Sequence, residues 1–185
     1  SVSAFLLNRS SDLAIFLFRE SLTWGTALQC LLFMVYGIRL GGYLLIREMK
    51  SQAYKKVLKP EMTRSRQMGM VPKVSIWISC ALLYTLEVSP VFFRLKNGDG
   101  TSGTVIAGLI IMAFGICLEM AADMQKSAAK KKNPYRFVDT GLYRIVRCPN
   151  YLGELILWAG VLVSGIGSLH GTLQWAVSVF GFILI

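Results

Sequence analysis

Three groups of polar residues stand out in an otherwise apolar chain. The first pairs Tyr36 with Arg39, three apart and so on one face of a helix. The second is Glu119, Asp123 and Lys126 at i, i+4 and i+7, one stripe at the end of an apolar run, with Gln125 beside it. The third runs from Arg144 and Arg147 to Asn150, Tyr151 and Glu154, where Asn150 and Glu154 share a helix face. Arginine forks match phosphate oxygens. Asn and Gln both donate to and accept from a carboxamide, and Asp accepts from a ribose hydroxyl. This is an inventory for a phosphorylated cofactor held in a helical bundle. It also suits an interfacial loop whose Arg and Tyr side chains anchor a helix to lipid head groups, and residue types alone leave both readings open.

Other chemistries lack their parts. The lone histidine, His170, lies in a short turn, so no Ser-His-Asp set and no His-based metal site is available. Cys30, Cys80 and Cys117 fall inside apolar runs, and Cys148 stands alone in the third group. No CxxC occurs, so no metal is expected. No GxGxxG follows a strand, which excludes a Rossmann site.

The elements that must position these groups are membrane helices. The chain has 185 residues, 54% hydrophobic and 16% charged, with a mean hydropathy of +0.53. Soluble domains carry about 25% charged residues. The apolar excess lies in long runs, so the fold class is all-α, a polytopic integral membrane helical bundle. Spans are expected at about 22–46, 74–95, 103–122, 150–167 and 173–185 in a single transmembrane domain covering 1–185. The complete protein is expected to hold about five to seven spans. The run ending at Gly181-Phe182-Ile183-Leu184-Ile185 stops in mid-hydrophobic stretch, which suggests a copy incomplete at its C-terminus. Ala14 to Phe18 is too short to span and reads as an interfacial helix or the tail of a span.

Net charge is +10 and lies between the spans. A first basic loop, 47–73, sets Arg47, Lys50, Lys55, Lys56, Lys59, Arg64, Arg66 and Lys73 against Glu48 and Glu61. A second, 123–149, sets Lys126, Lys130, Lys131, Lys132, Arg136, Arg144 and Arg147 against Asp123 and Asp139. Two spans separate the loops, so both emerge on one side, the cytosolic side or its organellar equivalent. Anionic lipid and phosphate contacts explain this charge, and nucleic acid is not expected as a partner.

Two intramembrane charges need an account. Arg39 lies seven residues before Ile46, about 10 Å along a helix. A central arginine costs roughly 2.5–3.5 kcal/mol to insert. Its partner is either an acidic residue such as Glu87 or an anionic ligand. Gly37, Gly41 and Gly42 leave room on the same helix for a close neighbour. Glu87 and Pro90 interrupt the second span, and Arg94 closes it. Pro149 suits a first helical residue, with Cys148 at the cap position before it.

These residues resemble a known family. Thr140-Gly141-Leu142-Tyr143-Arg144 and Arg147-Cys148-Pro149-Asn150-Tyr151-x-Gly153-Glu154 resemble its TGLWRYSRHPNYFGE signature. Ala122-Asp123-Met124-Gln125-Lys126 resembles its ADxQK, and Tyr36-Gly37-Ile38-Arg39-Leu40-Gly41 with Arg47-Glu48 its WGLRLG…RE. The family is the steroid 5α-reductase-like membrane proteins, in the domain-of-unknown-function branch. The resemblance implies a helical bundle holding NADPH in its cytosolic half. The reaction it implies is reduction of the double bond of a lipid or sterol-like enone. Carried over, Asp123, Arg144, Asn150 and Glu154 match cofactor-contact motifs, with Arg39, Gln125, Lys126, Arg147 and Tyr151 in or beside them. Tyr36 matches the carbonyl-polarising tyrosine. Cys148 stands where the family has His, and the acidic partner of the tyrosine has no assigned position.

Two other readings compete. One is an S-adenosylmethionine-dependent membrane methyltransferase similar to the isoprenylcysteine carboxyl methyltransferases. The other is a non-catalytic structural subunit of a larger membrane complex. Asn150, Glu154 and Asp123-x-Gln125-Lys126 favour the reductase over the methyltransferase. The expected setting is the endoplasmic reticulum or an organellar membrane, in lipid metabolism.

Overall fold

The computed structural model describes residues 22–50, 60, 63, 67–133 and 136–185, and every regular element among them is helical. The segment at 14–18 and most of the first basic loop, including Lys55, Lys56, Lys59, Glu61, Arg64 and Arg66, lie outside the described residues. In chain order the helices are α1 (Trp24–Lys50), α2 (Met70–Glu87), α3 (Ser89–Asn97), α4 (Gly103–Lys132), the single turn α5 (Leu142–Ile145), α6 (Pro149–Gly165) and α7 (Thr172–Ile183). A 3₁₀ turn, Ile166–Ser168, follows α6.

By length and composition, two helices among the described residues can cross a membrane, Gly103–Lys132 and Pro149–Ser168. A third is available if α2 and α3, bent by 54°, form one span. These two or three are fewer than the five to seven expected of the complete protein. The break between α2 and α3 follows from Pro90, which has no N–H to give the carbonyl of Leu86 and whose ring crowds it. Pro90 is tolerated because it falls in the first turn of α3.

The expected loop beginning at 123 is corrected by the structure: α4 runs on to Lys132. Met124 to Lys132 is rich in Ala, Lys, Gln and Met, strong helix formers, with no Gly or Pro to stop it. Asp123, Gln125 and Lys126 therefore sit on a helix. Pro149 is in the first turn of α6 and Cys148 is its N-cap.

The scaffold is built on α4 and α6, which run antiparallel with glycines facing at seven-residue spacing. Gly108 lies against Gly160 and Ser164, and Gly115 against Gly153 and Leu157. A Cβ on Gly115 would stand 2.6 Å from the Gly153 carbonyl oxygen and the Leu157 nitrogen. Small residues let membrane helices approach this closely and gain dispersion contact. Gly115→Ala is expected to cost about 1–3 kcal/mol through overpacking against backbone that cannot swing aside. The thermal midpoint in detergent reads this, with Gly42→Ala as control, since a Cβ there meets nothing within 4 Å. Equal midpoints would contradict the seam.

Helix α1 packs on α4 in parallel: Gly25 meets Val105, Gln29 meets Met112, and Tyr43 meets Ser127. The C-terminal ends of α1 and α4 thus lie with the N-terminal end of α6. Phe33, Tyr36, Val88, Val91, Leu95, Met112, Ile116, Leu157, Trp158 and Val161 form the core between them. Phe33 and Trp158 stack with ring centroids 5.9 Å apart. At the other end Arg94, 1% exposed, donates to the carbonyls of Gly100 (2.8 Å) and Ser164 (2.5 Å). A cation thereby satisfies the open carbonyl end of α6. His170, in the expected turn, is exposed and lies 3.1 Å from Asp99 Oδ2.

Candidate functional site

Arg39 finds its partners on α4. One guanidinium nitrogen pairs with Glu119, and the other donates to Asp123 Oδ2 at 3.1 Å. The expected partner, Glu87, is not the one. Glu119 and Asp123 are one turn apart on the face of α4 that meets α1, whereas Glu87 ends α2. One turn further on, Tyr43 Oη and Ser127 Oγ share a hydrogen bond of 3.2 Å. The polar seam is therefore periodic on both helices, which fixes their register.

Tyr36 is one turn before Arg39 and 3% exposed. The Arg39 guanidinium carbon stands 5.6 Å from its ring centroid, a cation–π contact. The phenol lies within electrostatic reach of Glu119 on α4, Glu154 on α6 and Tyr84 on α2. Glu154 also feels Arg39. Ion pairs between α1 and α4 thus form the centre of this polar cluster, with Glu154 of α6 and Tyr84 of α2 within electrostatic range. Glu119 Oε2 and Arg39 Nε are buried there without a hydrogen-bond partner among the described residues. No group of three or more His, Cys, Asp or Glu among the described residues is arranged to hold a metal ion.

A second feature opens beside this cluster. A groove of about 710 Å³ is lined by Lys126 and Lys130 of α4, Phe137 to Asp139, Tyr143, Arg144, Arg147 and Cys148 of the connecting segment, and Asn150 and Tyr151 of α6. Its acidic residue, Asp139, is paired with Arg136 at 2.8 Å. Lys126, Arg144 and Arg147 have no ion-pair partner among the described residues. The Tyr143 hydroxyl is buried with no hydrogen-bond partner among the described residues. Burial, and then the charge of Asp123, push this phenol up to about 12, so it keeps its proton at neutral pH and stays a donor.

The residues singled out from sequence therefore divide. Lys126, Arg144, Arg147, Asn150 and Tyr151 share the groove; Tyr36, Arg39, Asp123 and Glu154 share the buried cluster. Gln125 belongs to neither. Its Oε1 accepts from the Leu142 N–H at 2.9 Å and touches Gly141, and it lines a separate cavity of about 440 Å³. Gly141 (φ 63°) makes that touch by having no Cβ. Lys130 Nζ donates to the Arg136 carbonyl at 2.7 Å, so α4 pins the connecting segment at both ends. Glu119 was visible as part of the acidic stripe, but its pairing with Arg39 depends on how α1 lies on α4. Glu87 stood out in the sequence as an intramembrane carboxylate, whereas nothing there marked Tyr84 or the burial of the Tyr143 hydroxyl.

The family described as "Protein of unknown function (DUF1295)" matches residues 8–185. The chain belongs to the DUF1295 family. Within this DUF1295 protein, 81 residues are 33% identical to the steroid 5-alpha-reductase DET2 of Gossypium hirsutum. The match covers 43% of this chain and 28% of that one, so the chain spans under a third of the length of that curated relative. No solved structure matches it. The steroid 5α-reductase-like resemblance read from the motifs is thus shown.

A phosphorylated nicotinamide cofactor is the ligand that this resemblance implies, and the residues present fit it. The groove offers three cations for phosphate oxygens, and a phenol as donor, none of them paired among the described residues. Asn150 in the groove offers an amide for the cofactor's carboxamide, and the adjoining cluster offers carboxylates for its hydroxyls.

Proposed function

We propose that this chain is part of a membrane-embedded, NADPH-dependent reductase of the carbon–carbon double bond in a lipid or sterol-like enone. The single observation that carries this is adjacency. A cation-lined groove opens beside a buried tyrosine that shares its cluster with a guanidinium and carboxylates. Phosphates belong at the first and carbonyl chemistry at the second. Both face the end where α1 and α4 finish, which we read as the cytosolic side of an endoplasmic reticulum or organellar membrane.

Lys126, Arg144 and Arg147 would hold the phosphates, and Asn150 and Tyr151 would line the path inward. When bound, NADPH supplies a hydride. The chain's own residues do the rest. Arg39, locked by Glu119 and Asp123, holds a positive charge beneath the Tyr36 ring and fixes where the phenol points. Tyr36 donates its hydroxyl proton to the carbonyl oxygen as electron density builds there. The apolar walls of α1, α2 and α6 exclude water and admit an apolar substrate.

The direct test is NADPH binding to detergent-purified protein, read by energy transfer from tryptophan to nicotinamide, with S-adenosylmethionine as competitor. Arg144→Ala and Asn150→Ala should each weaken binding. The loss of one charge-assisted hydrogen bond corresponds to about tenfold or more for the arginine. Unchanged affinity in both variants, or displacement by S-adenosylmethionine, would sink the assignment.

A further inference from the structure

The cavity of about 440 Å³ has no part in the reading above. From α4 it is lined by Gln125, Ala128, Ala129 and Lys132, which stand at i, i+3, i+4 and i+7 on one face of the last two turns. Lys126 and Lys130, which line the groove, are one turn apart on a second face. Phe137, Val138 and Asp139 of the connecting segment line both cavities, so this short stretch is a bar between them. Lys130 Nζ on the Arg136 carbonyl (2.7 Å) and Gln125 Oε1 on the Leu142 N–H (2.9 Å) fasten the bar to α4 on either side.

The sites follow one another along α4. Glu119 and Asp123, which hold Arg39 beside Tyr36, come first, then Lys126 and Lys130 of the groove, and Lys132 of the cavity last. Glu119 to Lys132 is about 20 Å of helix. A phosphorylated nicotinamide dinucleotide also has its parts in fixed order: nicotinamide, phosphates, then adenosine with a 2′-phosphate. The first two parts already have their places, and the cavity stands where the third must go. Its chemistry suits that part. Ala128, Ala129 and Gly141 are small and leave space for a flat ring. Phe137 is 75% exposed and has an aromatic face on which such a ring can stack. The Asn133 amide both donates and accepts, as the edge of an adenine requires. Lys132 is in no ion pair among the described residues and is the cation for a phosphate. Arg136 is already paired with Asp139 at 2.8 Å.

We propose that this cavity is the adenosine subsite of the same nucleotide site: Phe137 stacks on the adenine, Asn133 reads its edge and Lys132 holds the 2′-phosphate. This rests on the reductase reading. The nucleotide lies across the Phe137–Asp139 bar, with its bridging phosphates in the groove and its adenosine in the cavity. Preference for the phosphorylated over the unphosphorylated dinucleotide then comes from the end of α4, and not from the arginines of the groove.

Binding of three probes to the detergent-purified chain tests this, read by energy transfer from tryptophan to the reduced nicotinamide. The probes are NADPH, NADH, which lacks the 2′-phosphate, and reduced nicotinamide mononucleotide, which lacks the adenosine half. Asn133→Ala should weaken NADPH and NADH about tenfold and leave the mononucleotide unchanged. Ala128→Leu, which fills the cavity, should do the same. Lys132→Ala should weaken NADPH about tenfold and leave NADH unchanged. Arg144→Ala, in the groove, should weaken all three. If Ala128→Leu does not fold, Asn133→Ala and Lys132→Ala decide. NADPH affinity unchanged in those two variants, or all three probes falling together in them, overturns the proposal. Failure of the reductase reading looks different: wild-type protein binds none of the three probes, and the subsite falls with it.

Discussion

Arg39→Met is expected to destabilise the protein by about 3–5 kcal/mol, the cost of leaving a buried ion pair with one partner removed. Methionine fills much of the same space, so the loss is electrostatic rather than a cavity. Glu119 and Asp123 would then face each other's charge inside an apolar bundle with nothing between them. Thermal unfolding in detergent measures the loss. Two companion variants separate the ion pair from packing. Arg39→Met combined with Glu119→Gln and Asp123→Asn should recover most of the stability, because no charge is then left unpaired. Recovery of stability without recovery of NADPH binding would locate the functional role of Arg39 in its charge. A triple variant as unstable as the single one would mean that Arg39 acts through packing alone.

Tyr36→Phe should leave NADPH affinity within a factor of about two, since the phenol lies in the buried cluster and not on the groove. Reduction should slow by about 10²–10⁴-fold, the usual contribution of a placed general acid. Single-turnover hydride transfer, followed by the loss of nicotinamide fluorescence, separates this from slow product release. The ring stays in place, so the cation–π contact with Arg39 and the packing on Phe33 and Trp158 survive. Lost affinity would make Tyr36 a wall of the cofactor pocket instead.

Much of the fold was legible because its cause is local. Apolar run length marks the helices, Pro90 marks the break and Cys148-Pro149 marks a helix start. The extension of α4 past residue 122 was missed because lysines were read as loop. Alanine and lysine carry a helix beyond an apolar stretch as well as within it. The glycine seam was missed for a different reason. Gly37, Gly41 and Gly42 cluster in sequence and drew attention, while Gly108, Gly115, Gly153 and Gly160 are spread over two helices and have meaning only as facing pairs. The groove was legible in part because much of its polar lining crowds into 144–151. The buried cluster was legible only in pieces, since its members come from α1, α4 and α6 and nothing local relates Arg39 to Glu119. Gln125 shows the reverse error: a side chain well suited to a ligand is held by a backbone N–H.

The facing glycines of α4 and α6 bear on how the site could move. With glycines at their closest approaches, the two helices pack backbone against backbone as one beam, the Cβ atoms of Glu119 and Ser164 lying against the facing glycines. The beam carries Glu119, Asp123, Asn150 and Glu154 together, so their mutual spacing is fixed. Helix α1 is attached to it at this end by replaceable polar contacts, Arg39 to two carboxylates and Tyr43 to Ser127. The approach to Tyr36 therefore lies between one closely packed jaw and one held to it by side chains. The latch between the jaws is the Arg39 ion pair itself.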